Sequence, residues 1–300
     1  MMKLDGVIVD ARVVELALAY LASPRESVLS ELASSPGAIK THVHARRFGN
    51  TDDSALDFWK SILDDASRDQ PGCEERIQSN LAYLESHEST VLSAIREIEE
   101  YLPVNYKFQT RLNLILGYDI GIVSQGEAML NIAHSHFSHD RRELVYLIMH
   151  ELHHVAYTDY HPIYSLDELE TTDDFVRIIR YSTHLEGLGV YAPLNRRIEE
   201  NGLGHEDYQF LLDSHECSSR VEKYFEIFEE LNREDNRELK DSDFEIMDQM
   251  SGKGSRLWYV TGAHMCKVID EEIGRKALTN TIIDGPDSFF ETYRTTRDRH

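Results

Sequence analysis

The chain has only three cysteines, Cys73, Cys217 and Cys266, far apart and in no CxxC pair. That usage argues against a disulfide framework and against a cysteine-based zinc site. Positive charge is scarce as well: 31 Lys and Arg stand against 54 Asp and Glu, a formal net charge of −23. Nucleic acid and anionic membrane surfaces both need a basic face, so neither is expected as a partner. No apolar run approaches the roughly 18 residues that a membrane helix requires. Asp5, Asp10, Arg12 and Glu15 interrupt the apolar residues at the N-terminus, which excludes the unbroken core of a secretion signal. Internal repeats and low-complexity tracts are missing too. A cytoplasmic protein is the expectation.

What is there is a chain with 41% hydrophobic residues, enough for one large core or two smaller ones. Residues 1–100 read as mostly helical. DARVVELALAYLAS and SALDFWKSILDDAS place apolar residues three and four apart, with Asp10 and Ser54 as N-caps. A longer helical stretch from Gly72 stops at Pro103. KFQTRLNLILGYD and GIVSQGEAMLNIA read as two strands, the second a possible edge for an extended peptide. Two apolar helices follow, separated by the polar linker TDYHPIYSLDELETTDD, then an amphipathic helix over about 206–232 and a late helix from Ser255. The fold class expected is mainly α with a small β-sheet (α+β). Residues 1–103 form an N-terminal helical region and residues 104–300 the part that carries the chemistry.

One stretch contradicts its surroundings. LVYLIMHELHHVAY, Leu144–Tyr157, is apolar on nearly every side yet holds His150, Glu151, His153 and His154 at its centre. A helix apolar all round belongs in an interior, where unpaired ionisable groups are costly. Positions i and i+4 stack one turn apart, so His150 and His154 converge on one point, while Glu151 lies beside that stripe. This HExxH spacing suits a metal ion with a neighbouring carboxylate as general base. Asp140 and Glu143 mark the helix start in the manner of a capping box.

A catalytic zinc site wants a third protein ligand. His161 and Asp159 are candidates, both poorly spaced after His154. Glu186, in RYSTHLEGLGVY, is the better one: small residues share its helix face, and Gly187 and Gly189 suggest close packing against the His-bearing helix. His134, His136 and His139 read as exposed loop histidines, His153 as a core histidine, and His184 lies on another face from Glu186.

A His-Glu-x-x-His helix followed by a Glu-Gly helix resembles the gluzincin metallopeptidases. The chain is also similar to uncharacterised zinc-dependent peptidases that share an LGYD-like strand, an HExxH helix and an EG helix. They have a late Tyr-x-x-Gly helix too, here YVTGAHMCKVIDEEIGRKAL, followed by GPDSFFETY. The likeness covers roughly residues 105–293. It implies a gluzincin-like architecture, Zn2+ at His150, His154 and Glu186, Glu151 as general base, and a peptide or small-protein substrate. Tyr259 and His264 are the candidates for stabilising the oxyanion, with Tyr181 and Tyr191 behind them. Many gluzincins place an Asp four residues after the ligand Glu, where this chain has Val190. The competing expectation is a catalytically silent metal-binding scaffold of the same shape.

Overall fold

The computed structural model describes residues 2–164, 169–233, 235–252 and 254–297. Its contacts divide it into two units, Met1–Glu97 with Lys107–Ala156, and Ile98–Tyr106 with Tyr157–His300. Mainly helical with one small sheet, it has the α+β character expected.

The sheet lies in the first unit. Met2–Leu4 (β1) and Val7–Asp10 (β2) are antiparallel, Thr110–Ile115 (β3) runs parallel to β2, and Gly121–Ser124 (β4) is antiparallel to Glu127–Asn131 (β5). The strand order is β1-β2-β3-β5-β4. Both hairpins close on two residues with positive φ: Asp5 and Gly6 at 43° and 88°, Gln125 and Gly126 at 50° and 71°. Such turns match the right-handed twist of the strands they join.

Three sequence readings are corrected here. MKLDGVIVD is a hairpin, not the head of a helical region. GIVSQGEAMLNIA is two strands folded back at Gln125-Gly126. The strand ending near Ala133 is not an edge, because β5 is paired on both sides and β4 is the outer strand. Hydrophobic periodicity passed over the two-residue turns that decide all three.

The first unit's helices are α1 (Arg12–Ala22), α2 (Glu26–Ala33), α3 (Pro36–Arg47), α4 (Ala55–Arg68), α5 (Gln70–Ser86) and most of α6 (Glu88–Glu99). Ser54 is the N-cap of α4 as expected, its Oγ accepting from the Asp57 backbone N–H at 3.2 Å. The N-cap of α1 is Ala11, however; Asp10 stands one residue earlier, with Oδ1 accepting from the Arg12 backbone N–H at 3.0 Å. The stretch from Gly72 to Pro103 is broken at His87, whose ψ of 28° leaves the helical range. Trp59 is fully buried and donates from Nε1 to the Ala38 carbonyl.

LGYD, read as strand, is a turn in which Tyr118 has φ 57°. Asn50 Nδ2 donates to its hydroxyl, and His44 Nδ1 lies 2.9 Å from the same oxygen. Burial, and secondarily Arg47, lowers the His44 pKa from 6.5 to about 4. Folded His44 is therefore neutral where the unfolded chain binds a proton, so stability falls as pH drops from about 6.5 to about 4. That loss is on the order of 3 kcal/mol and should be missing from His44→Gln. Urea unfolding of both proteins across this window checks it; parallel curves would show that His44 is not responsible.

The His-bearing helix α7 (Arg142–Tyr160) begins in the first unit, and its last turn, from Tyr157, belongs to the second. Of the polar linker expected after it, residues 158–160 are helix and residues 165–168 lie outside the described residues.

The second unit holds α8 (Thr172–Tyr191), α9 (Leu194–Glu199), α10 (Glu206–Leu212), α11 (Ser214–Arg233), α12 (Asp241–Ser251), α13 (Leu257–Glu272), α14 (Arg275–Asp284) and α15 (Pro286–Arg297). The amphipathic stretch over 206–232 is two helices, broken at Asp213, whose Oδ1 accepts from the backbone N–H groups of His215 and Glu216. Thr171 and Asp174 cap α8 reciprocally. Phe175, Ile179, Tyr224, Phe228, Met250 and Trp258 build a core between α8, α11, α12 and α13.

The α8–α13 crossing is very close. A Cβ built on Gly187 would stand 2.4 Å from the Gly262 carbonyl carbon, and one on Gly262 would stand 2.1 Å from the Thr183 carbonyl oxygen. Gly187 therefore admits α13, not the His-bearing helix as the sequence suggested. Among the described residues no helix is long and apolar enough to cross a membrane.

Candidate metal centre

α7 is anchored at its start by polar contacts. Asp140 Oδ1 accepts from the Arg142 backbone N–H, and the buried Glu143 carboxylate lies 3.3 Å from His136 Nε2. From there the helix runs through interior: Leu144, Val145, Tyr146, Ile148, Met149, Leu152 and Val155 are all buried. One turn apart, the His150 and His154 rings meet edge to face with centroids 4.3 Å apart. Glu151 is 4% exposed. Its carboxylate lies against Gly121, where a Cβ would come within 2.3 Å of Oε1.

Glu186 completes a group of possible ligands. One ligand atom from each of His150, His154 and Glu186 lies within 4.8 Å of the others, and these three residues could hold a metal ion. Two imidazoles and one carboxylate are a donor set that zinc accepts while keeping a position open. His154 is buried; His150 and Glu186 are partly exposed.

The other ligand candidates have different neighbours. Asp159 accepts from the Tyr106 hydroxyl at 2.7 Å, and His161 Nε2 lies 2.7 Å from the Ile282 carbonyl. His153 is fully buried. His184 is fully buried too, with Tyr157 and Thr281 hydroxyls 3.0 Å from its two ring nitrogens and Phe289 stacked on its face.

The four candidates for an oxyanion partner separate clearly. Burial, and after it the negative charge of Glu186, pushes up the phenol pKa of Tyr259, one turn before Gly262 on α13. His264 has Cys217 Sγ 3.7 Å from Nδ1 and Tyr293 at its edge. Burial, then Lys267 and Arg297, lower its pKa. Tyr181 donates to the His161 carbonyl and Tyr191 to Asp270.

Sequence reading passed over Gly121, Asp207 and Arg256. Arg256 adopts a left-handed conformation, φ 50° and ψ 35°, as the N-cap of α13. It forks onto Asp207 through Nε and Nη2, 2.6 Å each. A glycine opening a strand and an arginine before a helix carry no signal until the chain is folded.

No curated protein and no solved structure matches the chain. A family model described as "Putative zinc dependent peptidase (DUF5700)" matches residues 72–297, a span that holds the whole His150, Glu151, His154 and Glu186 constellation. With three quarters of its length matched, the chain belongs to that family.

Proposed function

We propose that the protein is a gluzincin-like metallopeptidase that hydrolyses peptide bonds at a zinc ion held by His150, His154 and Glu186. The observation that carries this reading is the grouping of those three side chains with a buried carboxylate, Glu151, next along the same helix. Zinc bound there would act as a Lewis acid toward the scissile carbonyl and ease deprotonation of a water. Glu151, adjacent to the ligand His150 yet not one of the three, takes the proton and returns it to the leaving amine. Tyr259, in the field of Glu186, donates from its phenol to the developing oxyanion. His264, turned toward Cys217 and Tyr293, has no part in this scheme. An extended peptide would add to β4, the outer strand that opens at Gly121 beside Glu151. A silent scaffold would have no use for the Glu151 carboxylate at this position.

Zinc content by mass spectrometry tests the ligand set. Wild-type protein should carry one zinc per chain, and Glu186→Ala less than about a tenth of that, since two imidazoles alone bind weakly. A wild type that takes up no zinc would sink the reading.

Gly121→Ala tests the placement of Glu151. The added methyl meets the mobile end of the Glu151 side chain, at 2.3 Å from Oε1 and 2.7 Å from Cδ, so the carboxylate swings while the backbone stays. Zinc should be retained and kcat should fall roughly 100-fold, the scale for an ångström of misplacement. Unchanged kcat would show that the carboxylate's position is immaterial.

A further inference from the structure

Arg256 is a costly residue for its place. Left-handed backbone is strained for any residue with a Cβ, and such strain persists only where the surroundings over-determine it. The surroundings here do so from three sides. Asp207, 2% exposed, receives two parallel hydrogen bonds from the guanidinium. Arg220 donates to the carbonyls of Gly254 and Ser255, pinning the segment just before the kink. The Arg256 N–H donates to the Gly252 carbonyl at 3.1 Å. A buried ion pair of this sort adds little net stability over apolar packing, so stability alone gives a weak reason for it.

What the strained turn achieves is placement. The guanidinium carbon stands over the Tyr259 ring, 3.4 Å from its centroid. Tyr259 and Arg256 both lie in the field of Glu186. The ring is thus held on one face by a cation anchored on Asp207. Only a planar guanidinium can fork onto a carboxylate and stack on an aromatic face at once; an ammonium cannot do both.

We propose that Asp207 and Arg256 are a positioning pair, whose task is to fix the Tyr259 ring and so the direction of its phenol. The pair acts through Tyr259 and touches no reacting atom, so the proposal rests on the reading of Tyr259 as oxyanion donor.

The experiment uses the zinc-loaded full chain with Arg256→Lys, Arg256→Met and Asp207→Asn, each alone and combined with Tyr259→Phe. 3-Fluorotyrosine placed at position 259 reports the ring directly by 19F NMR, with no need of a substrate. The expected result is one sharp resonance in the parent that moves and broadens in Arg256→Lys and Asp207→Asn, with zinc content unchanged. For turnover of a peptide substrate, kcat should fall roughly 10- to 100-fold with KM within about twofold, and Tyr259→Phe should absorb the effect, leaving less than about twofold further loss. An unmoved resonance in both variants overturns the pair, as does a full additional loss in the Tyr259→Phe background. Full kcat in Tyr259→Phe alone instead removes the oxyanion reading, and the 19F shift then still decides whether the pair places the ring. Should Arg256→Met fail to fold, the charge-keeping Arg256→Lys and the near-isosteric Asp207→Asn still decide.

Discussion

Glu151→Gln is expected to keep its zinc and lose between about 100- and 10,000-fold in kcat, the range for removing a positioned general base. The amide has nearly the shape of the carboxylate, so it fits against Gly121 as the native side chain does. It cannot accept the proton. His150, His154 and Glu186 are untouched, so zinc content should equal that of wild type. KM should change little, because the interaction removed belongs to the transition state. The check is steady-state kinetics on a peptide substrate beside a zinc assay of the same preparation. Hydrolysis retained at the wild-type rate would remove Glu151 from the mechanism.

The second large effect is structural. Gly262→Ala places a methyl 2.1 Å from the Thr183 carbonyl oxygen and 2.7 Å from the Gly187 Cα, so it strikes backbone on α8. No side chain can turn aside to make room. The two helices must part, and overpacking of this kind costs about 3 kcal/mol or more. The better helix propensity of alanine returns only about 1 kcal/mol. Glu186 precedes Gly187 on the displaced helix, so the third ligand moves with it and zinc affinity should fall along with stability. Thermal unfolding with and without zinc measures both. A variant as stable as wild type, binding zinc as tightly, would show that the crossing tolerates separation. Gly121→Ala makes a useful contrast, since its methyl meets the end of a flexible side chain and should cost activity without costing the fold.

Much of the arrangement around α7 was legible in the sequence. The HExxH spacing survives any packing, because a helix places i and i+4 together whatever surrounds it. An all-apolar helix had to be buried, and burial of His and Glu called for a shared partner. Glu186 was legible for a related reason: its small helix face announced a close neighbour. That neighbour was misjudged. Gly187 packs on Gly262, 75 residues further along the chain, and helix periodicity holds no record of which helix arrives there.

The strands show where local pattern fails. Periodicity marks apolar runs, while their ends lie in two-residue turns such as Asp5-Gly6 and Gln125-Gly126. Reading through the second turn fused β4 with β5, and so made an inner strand look like an edge. Sheet order is set by which strands find each other, and β2 with β3 joins residues about a hundred positions apart.

By itself, then, the sequence determined the helical character, the HExxH spacing of His150 and His154, the neighbouring Glu151 and the net negative charge. All of these follow from spacing within one element or from composition. Only the tertiary structure decided which helix meets Gly187, which strand is outermost, and that Arg256, anchored on Asp207, covers the face of Tyr259. Those depend on contacts between distant segments, where the energy lies in packing and pairing that no local window contains.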